Sequence, residues 1–145
     1  MVINGQEKIV GSNSAGLLRA IRKEDQVSRM YVHIASASLD GNFITLDVSV
    51  SGTIPGKGAS IYAILADDKT SSTVLRGEDS GRTLSDVSVA RTITRVAALR
   101  EATKLTVRLP LEGYIQQPSH LGRHFVLFAQ APGFGQVLGV DTLSL

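Results

Sequence analysis

Arg76, Glu78, Asp79 and Arg82 crowd around Gly77 and Gly81 in the segment 74–84 (VLRGEDSGRTL). Carboxylates accept the forked N–H groups of arginine, and glycine lets a backbone bend without a Cβ clash. A cluster of this kind either grips a small anion or a partner, or pins a loop between two strands, with Arg91 reaching back from the next strand to complete it. Ion-pair networks are common outside catalytic sites, so the pinned loop is the preferred reading. Arg76, Glu78, Arg82 and Arg91 thus form a candidate structural network and, secondarily, a recognition patch.

Other residue types with chemical potential are scattered. Arg91 and Arg95 are an even count apart, which places them on one face of a strand, with Arg100 and Arg108 beyond. Asp86, Glu101 and Glu112 break up any basic stripe, and no aromatic residues interleave to stack bases, so a solvated sheet face is expected. Segment 52–60 (GTIPGKGAS) has the wrong glycine spacing for a phosphate-binding loop, and Gly58 stands where a hydroxyl should follow Lys57. A glycine-rich turn with Lys57 exposed accounts for it. His120 and His124 have ligand spacing for a helix, but Pro118 and Gly122 argue against a helix there; His33 stands apart, and no carboxylate is close to His120 or His124 in sequence. No nucleophile-elbow motif selects any one serine. No catalytic residue, metal ligand or cofactor site is assigned.

The elements that must carry these groups are mostly strands. Asn4-Gly5 between the short apolar runs 1–3 and 8–10 predicts a β-hairpin. Capping groups at 12–14 precede Leu17, Leu18 and Ile21, whose spacing lays an apolar stripe along a helix ending near Glu24. Alternating patterns then predict strands near 30–38, 42–50, 61–65, 71–76, 87–97, 103–111, 123–130 and 136–143. Short strands without intervening helices indicate a mainly β chain. The expected architecture is an antiparallel β-sandwich with immunoglobulin-like layering, preceded by the hairpin and one helix.

Composition narrows the function classes. With 145 residues, 43% hydrophobic and 19% charged, the chain can build one ordinary core and lies outside the disordered range. A net charge of +2 without a basic block gives no signature of nucleic-acid binding. The absence of cysteine removes disulfides, thiolate metal sites and cysteine nucleophiles together. Residues 1–11 are too short and polar for a signal peptide, and no apolar run reaches the roughly 18 residues a membrane span needs. Neither a nucleic-acid partner nor membrane insertion is expected.

Several motifs recur together. They are Val2-Ile3-Asn4-Gly5-Gln6 with Val10-Gly11-Ser12, then the run from Arg76 to Leu84, Val89-Ala90-Arg91, and Gly135 to Gly139. In this order and spacing the chain resembles the bacterial family called domain of unknown function 1223, over nearly its whole length. The resemblance implies an exported protein, periplasmic or secreted, with a thioredoxin-like N-terminal half that carries a cysteine motif and a C-terminal β-sandwich. Residues 1–25 would then be the tail of the thioredoxin-like unit and 26–145 the sandwich, with the cysteine motif upstream of this chain. One departure stands out: where the family usually has a His and an Asn after Gly81-Arg82-Thr83-Leu84, this chain has Ser85, Asp86, Val87 and Ser88.

The function expected is therefore that of a noncatalytic accessory or interaction domain, with a protein partner. The alternative is a domain that presents substrate to an upstream thiol-disulfide oxidoreductase; an enzyme complete in these residues would need His33, His124 or a serine to meet a carboxylate in a pocket. Hairpin strands separated from a larger sheet leave unpaired edges, so they are expected to pair with a second copy or to fold back onto the sandwich.

Overall fold

Alternation along the strands decides the architecture of the computed structural model, which describes residues 1–26, 29–111 and 122–145. In order, the elements are β1 (Val2–Ile3), β2 (Glu7–Lys8), α1 (Ser14–Glu24), β3 (Met30–Asp40), β4 (Phe43–Gly52), β5 (Ala59–Thr73), β6 (Thr83–Leu99), β7 (Thr103–Pro110), β8 (Arg123–Gln130) and β9 (Val137–Ser144). The hairpin β1-β2 stands by itself; the remaining strands form a sheet ordered β3-β4-β7 and another ordered β6-β5-β8-β9, all antiparallel. This is the mainly β sandwich with a leading hairpin and helix that the sequence predicts.

Along the core-forming stretches of the strands, every second residue faces the partner sheet. Met30, Val32 and Ile34 of β3, Ile44, Leu46, Val48 and Val50 of β4, and Val107 and Leu109 of β7 supply one wall of the core. Ala59, Ile61, Ala63 and Leu65 of β5 with Phe125, Leu127 and Ala129 of β8 supply the other. Each large buried side chain contributes about 1.5–3 kcal/mol, so the two central strands β4 and β5 hold the sandwich together.

The turn chemistry follows the residue types. Asn4 and Gly5 both take positive φ (45° and 74°), as the tightest hairpin turns require. Asn13 caps α1 by accepting the Gly16 N–H at 2.9 Å. Two expected strands, 61–65 and 71–76, prove to be one, because the polar run Asp67-Asp68-Lys69 stays in the ladder opposite Val89 and Val87. β5 and β6 then continue together past the end of β8, which pairs with β5 only as far as Asp67, and form a two-stranded arm.

Two closures join the parts. The Val137 N–H donates to the Asn4 carbonyl at 2.9 Å, so the hairpin folds back onto the start of β9. At Gly139 the edge of β9 runs so near β3 that an added methyl group would strike the Met30 carbonyl oxygen, which is backbone and cannot swing aside. Further along the same edges, the Asp141 carboxylate accepts the Ile34 N–H at 2.8 Å. We expect Gly139→Ala to destabilise the chain by about 1–3 kcal/mol, as overpacking against a fixed neighbour does. Urea unfolding should show a lower midpoint at an unchanged slope, whereas an unaltered midpoint would mean that the two edges can part.

Candidate functional site

The charged turn lies at the tip of the β5-β6 arm, where its backbone is closed from within. The Val74 N–H donates to the Arg82 carbonyl (2.9 Å), that of Gly81 to Val74 (2.8 Å) and that of Ser80 to Gly77 (3.1 Å), while Gly77 and Gly81 take φ of 98° and 85°. Arg82 pairs with Asp79 at 2.6 Å in a solvent-exposed ion pair. Arg76 and Glu78 are exposed and make no ion pair among the described residues. Arg91 is not brought to this turn.

Arg91 belongs instead to a junction at the base of the arm. The Asp67 carboxylate, 6% exposed, accepts the Arg91 Nε at 2.6 Å on one oxygen and the Arg123 Nε at 2.9 Å on the other. Burial by itself would push the Asp67 carboxyl up; the hydrogen bonds and charges of the two guanidinium groups outweigh it and hold the carboxyl below the usual range. Asp68, the next residue, meets the His124 Nδ1, and its N–H donates to the Gly122 carbonyl at 3.1 Å. Arg95 goes elsewhere, to the Ser60 hydroxyl at 3.1 Å. A register shift opposite Leu65 and Ala66 interrupts the alternation between Arg91 and Arg95, so an even count in sequence no longer fixes a shared face.

Chemically, the two arginines clamp the Asp67 carboxylate. A carboxylate bound on both oxygens by permanent cations has little tendency to accept a proton at neutral pH. His33 also finds a carboxylate, with its Nδ1 at 3.3 Å from Asp141. Burial pushes the Asp141 carboxyl up, but the N–H groups of Ile34 and Thr142 and the nearby His33 bring it below its ordinary value. Glu112, Pro118 and His120 lie outside the described residues. Among the described residues, no three His, Asp or Glu side chains converge as metal ligands would.

Sequence reasoning missed Asp67, Asp68 and Arg123. A signal was present: two adjacent carboxylates directly after the apolar run 61–66 must be paired if that strand stays buried. The expected apolar stripe of α1 is formed but not covered. Leu17 is half-buried, while Leu18 and Ile21 are 56% and 44% exposed; Met1, Val2 and Val10 of the hairpin segment are exposed as well.

A family model described as Protein of unknown function (DUF1223) matches residues 1–130. No curated protein matches the chain. Among solved structures, a β-glucosidase from Kluyveromyces marxianus is similar at 13% identity over 88% of this chain and 17% of its own, with a TM-score of 0.34. β-Glucosidase 3B from Thermotoga neapolitana, in complex with alpha-D-glucose, is similar at 10% identity over 81% of this chain and 16% of its own, with a TM-score of 0.35. The chain spans about a sixth of the length of these enzymes, and likeness at that level says nothing of what it does.

Because the Asp67 carboxyl is depressed in the folded chain, its contribution is complete above the unfolded value of about 4 and is lost as the pH falls through the lower folded one. Asp67→Asn should cost about 2–4 kcal/mol at pH 7, since it leaves two guanidinium groups facing a neutral amide. Its stability should also fall less steeply than that of the parent below pH 4. Denaturant unfolding of both proteins between pH 2.5 and 7 checks this; parallel acid limbs would show that Asp67 is not the titrating group.

Proposed function

The chain belongs to the family of proteins of unknown function DUF1223, whose model runs through the hairpin and helix into the sandwich, and on that footing we propose that it is a noncatalytic accessory and interaction domain. Its partner is a thioredoxin-like unit of the kind that the family resemblance implies, within an exported protein, periplasmic or secreted. Residues 1–25 are assigned to that unit as its closing hairpin and helix, and 26–145 to the sandwich that carries it. No reaction and no cofactor are assigned to this chain.

The observation that carries the reading is the bare stripe of α1. Leu18 and Ile21 have the spacing of a helix face made to be buried, and both stand open to solvent beside a hairpin segment that also exposes Met1, Val2 and Val10. Apolar residues at helical spacing left uncovered mark a place where another body can pack. An adjoining side of the same helix is already engaged, since Ala20 is buried, Glu24 bonds Asn4 and Gln136, and Lys23 pairs with Glu7. The charged tip with Arg76 and Glu78 offers a second, polar place for recognition.

The test uses the thioredoxin-like half of a family member that carries both halves, cut before its own closing hairpin and helix, added to this chain and followed by calorimetry and by amide shifts. We expect saturable binding that maps to Leu18, Ile21 and the hairpin, and a loss of at least tenfold, about 1.4 kcal/mol, in a Leu18→Glu, Ile21→Glu double variant. Both positions are exposed, so the variant should unfold within about 0.5 kcal/mol of the parent. Binding that survives in the variant, or no binding at all, sinks the reading. Light scattering that shows a dimer broken by the same variant would give the helix face to a second copy, and faster thiol-disulfide exchange by the added half would move the role to substrate presentation.

A further inference from the structure

At the corner where the hairpin, α1 and the edges of β3 and β9 meet, there is a cleft of about 290 Å³, lined among others by Asn4, Glu24, Arg29, Tyr31, Gln136 and Gly139. Glu24, the last residue of α1, is 7% exposed. One of its oxygens, Oε2, takes both of its hydrogen bonds, from the Asn4 Nδ2 at 2.8 Å and from the Gln136 Nε2 at 2.5 Å. Both donors are neutral amides. The neighbouring cations pair with other carboxylates, Lys23 with Glu7 at 2.5 Å and Arg29 with Asp25 at 2.7 Å, and Arg29 also donates to the Glu24 backbone carbonyl at 3.4 Å.

The buried Glu24 carboxylate is thus hydrogen-bonded by no cation of the described residues, and Lys23, paired with Glu7, acts on it only through space. Its second oxygen, Oε1, makes no hydrogen bond with the described residues, yet no side-chain nitrogen or oxygen among them is both sealed from solvent and unpartnered. Glu24 lines the cleft. The charged groups at this corner, Glu24 and Asp25 against Arg29, sum to one negative charge. A partly buried carboxylate with one oxygen fixed by amides and the other open to a cleft presents a preorganised acceptor, for which an ammonium or guanidinium group is the complementary donor.

We propose that this cleft binds an organic cation, an alkylammonium or guanidinium group, by a charge-assisted hydrogen bond to the Glu24 Oε1. The volume lies at the low end for ligand pockets, which suits a single side chain or a small amine and not a larger molecule. Tyr31, an exposed aromatic of the lining, offers a face to the cation or to its methylene stem. The site makes no use of the bare stripe of α1, so it stands whether or not a thioredoxin-like unit docks there.

The test is a titration of the 15N-labelled full chain with N-acetyl-lysine amide, N-acetyl-arginine amide, putrescine and, as the neutral isostere, N-acetyl-norleucine amide. At least one cation should give saturable shifts confined to the amides of Asn4, Tyr31, Gly139 and their neighbours, and the norleucine compound none. Saturation by putrescine points to a free amine, and saturation by the amino-acid amides alone to a peptide side chain. Glu24→Gln should weaken the binding at least tenfold at an unchanged melting temperature, because the new amide oxygen still accepts from Asn4 and Gln136. No saturable shift with any cation, equal shifts from the norleucine compound, or undiminished binding in Glu24→Gln overturns the proposal. Should that variant fail to fold, the contrast between lysine and norleucine on the parent chain decides.

Discussion

The approach of β9 to β3 at Gly139 and Met30 is the constraint from which the rest of the molecule follows. β3 and β9 are the outermost strands on one side of their two sheets, and a sandwich keeps its core dry there only if those edges come close. Only a residue without a Cβ allows the backbone of β9 to reach the Met30 carbonyl. With the edges together, Asp141 lies opposite the Ile34 N–H and satisfies a donor that a free edge would leave to water. The start of β9 is drawn to the same corner, where Val137 meets Asn4 and Gln136 meets Glu24. One glycine thus joins the packing of the core, the anchoring of the hairpin and the shape of the cleft.

At the other end of the sandwich the controlling term is electrostatic. Asp67 is the last residue of β5 to keep a neighbour on both sides, Val89 of β6 and Arg123 of β8, before the third strand drops away and the β5-β6 arm begins. A lone carboxylate this buried would be costly, and either arginine alone, bonded as here through its Nε, would leave one of the oxygens unfilled. Arg123 from β8 and Arg91 from β6 take one oxygen each, tying together the three strands that part at this point. Exposed pairs such as Arg82 with Asp79 at the arm's tip contribute little by comparison, because water screens them. The arginine that reads as part of the charged turn is thereby more useful at the root of the arm than at its tip.

What could be seen in the sequence was local in character. The Asn4-Gly5 turn, the Asn13 cap, the helix ending at Glu24 and the alternation in 43–50 and 123–130 depend on neighbours a few residues away, and each follows from its residue types. The partners of Asp67 and Glu24 could not be read in the same way. Arg123 is 56 residues from Asp67, and Gln136 is 112 residues from Glu24. Bringing them together requires the strand order and the register, and a bulge shifts the register of β6 just beside Arg91. A polar triplet inside β5 read as a break between two strands for the same reason: what lets it remain a strand is contributed by other strands.

The way α1 is attached bears on what it can do. Helices of soluble domains are usually held by burying their apolar stripe, and their polar side is left to water. Here the attachment is mixed, with Ala20 buried, Leu17 half-buried, and Asn4, Gln136 and Glu7 engaging Glu24 and Lys23, while Leu18 and Ile21 face outward. Polar contacts have a narrow geometry, so they set the orientation of the helix, yet their net contribution after exchange with water is small. On the proposed reading, an element fixed in direction but weakly held, with apolar residues presented, meets the ordering cost of docking in advance. On this account the sandwich serves as the mount, and the helix is the surface it presents.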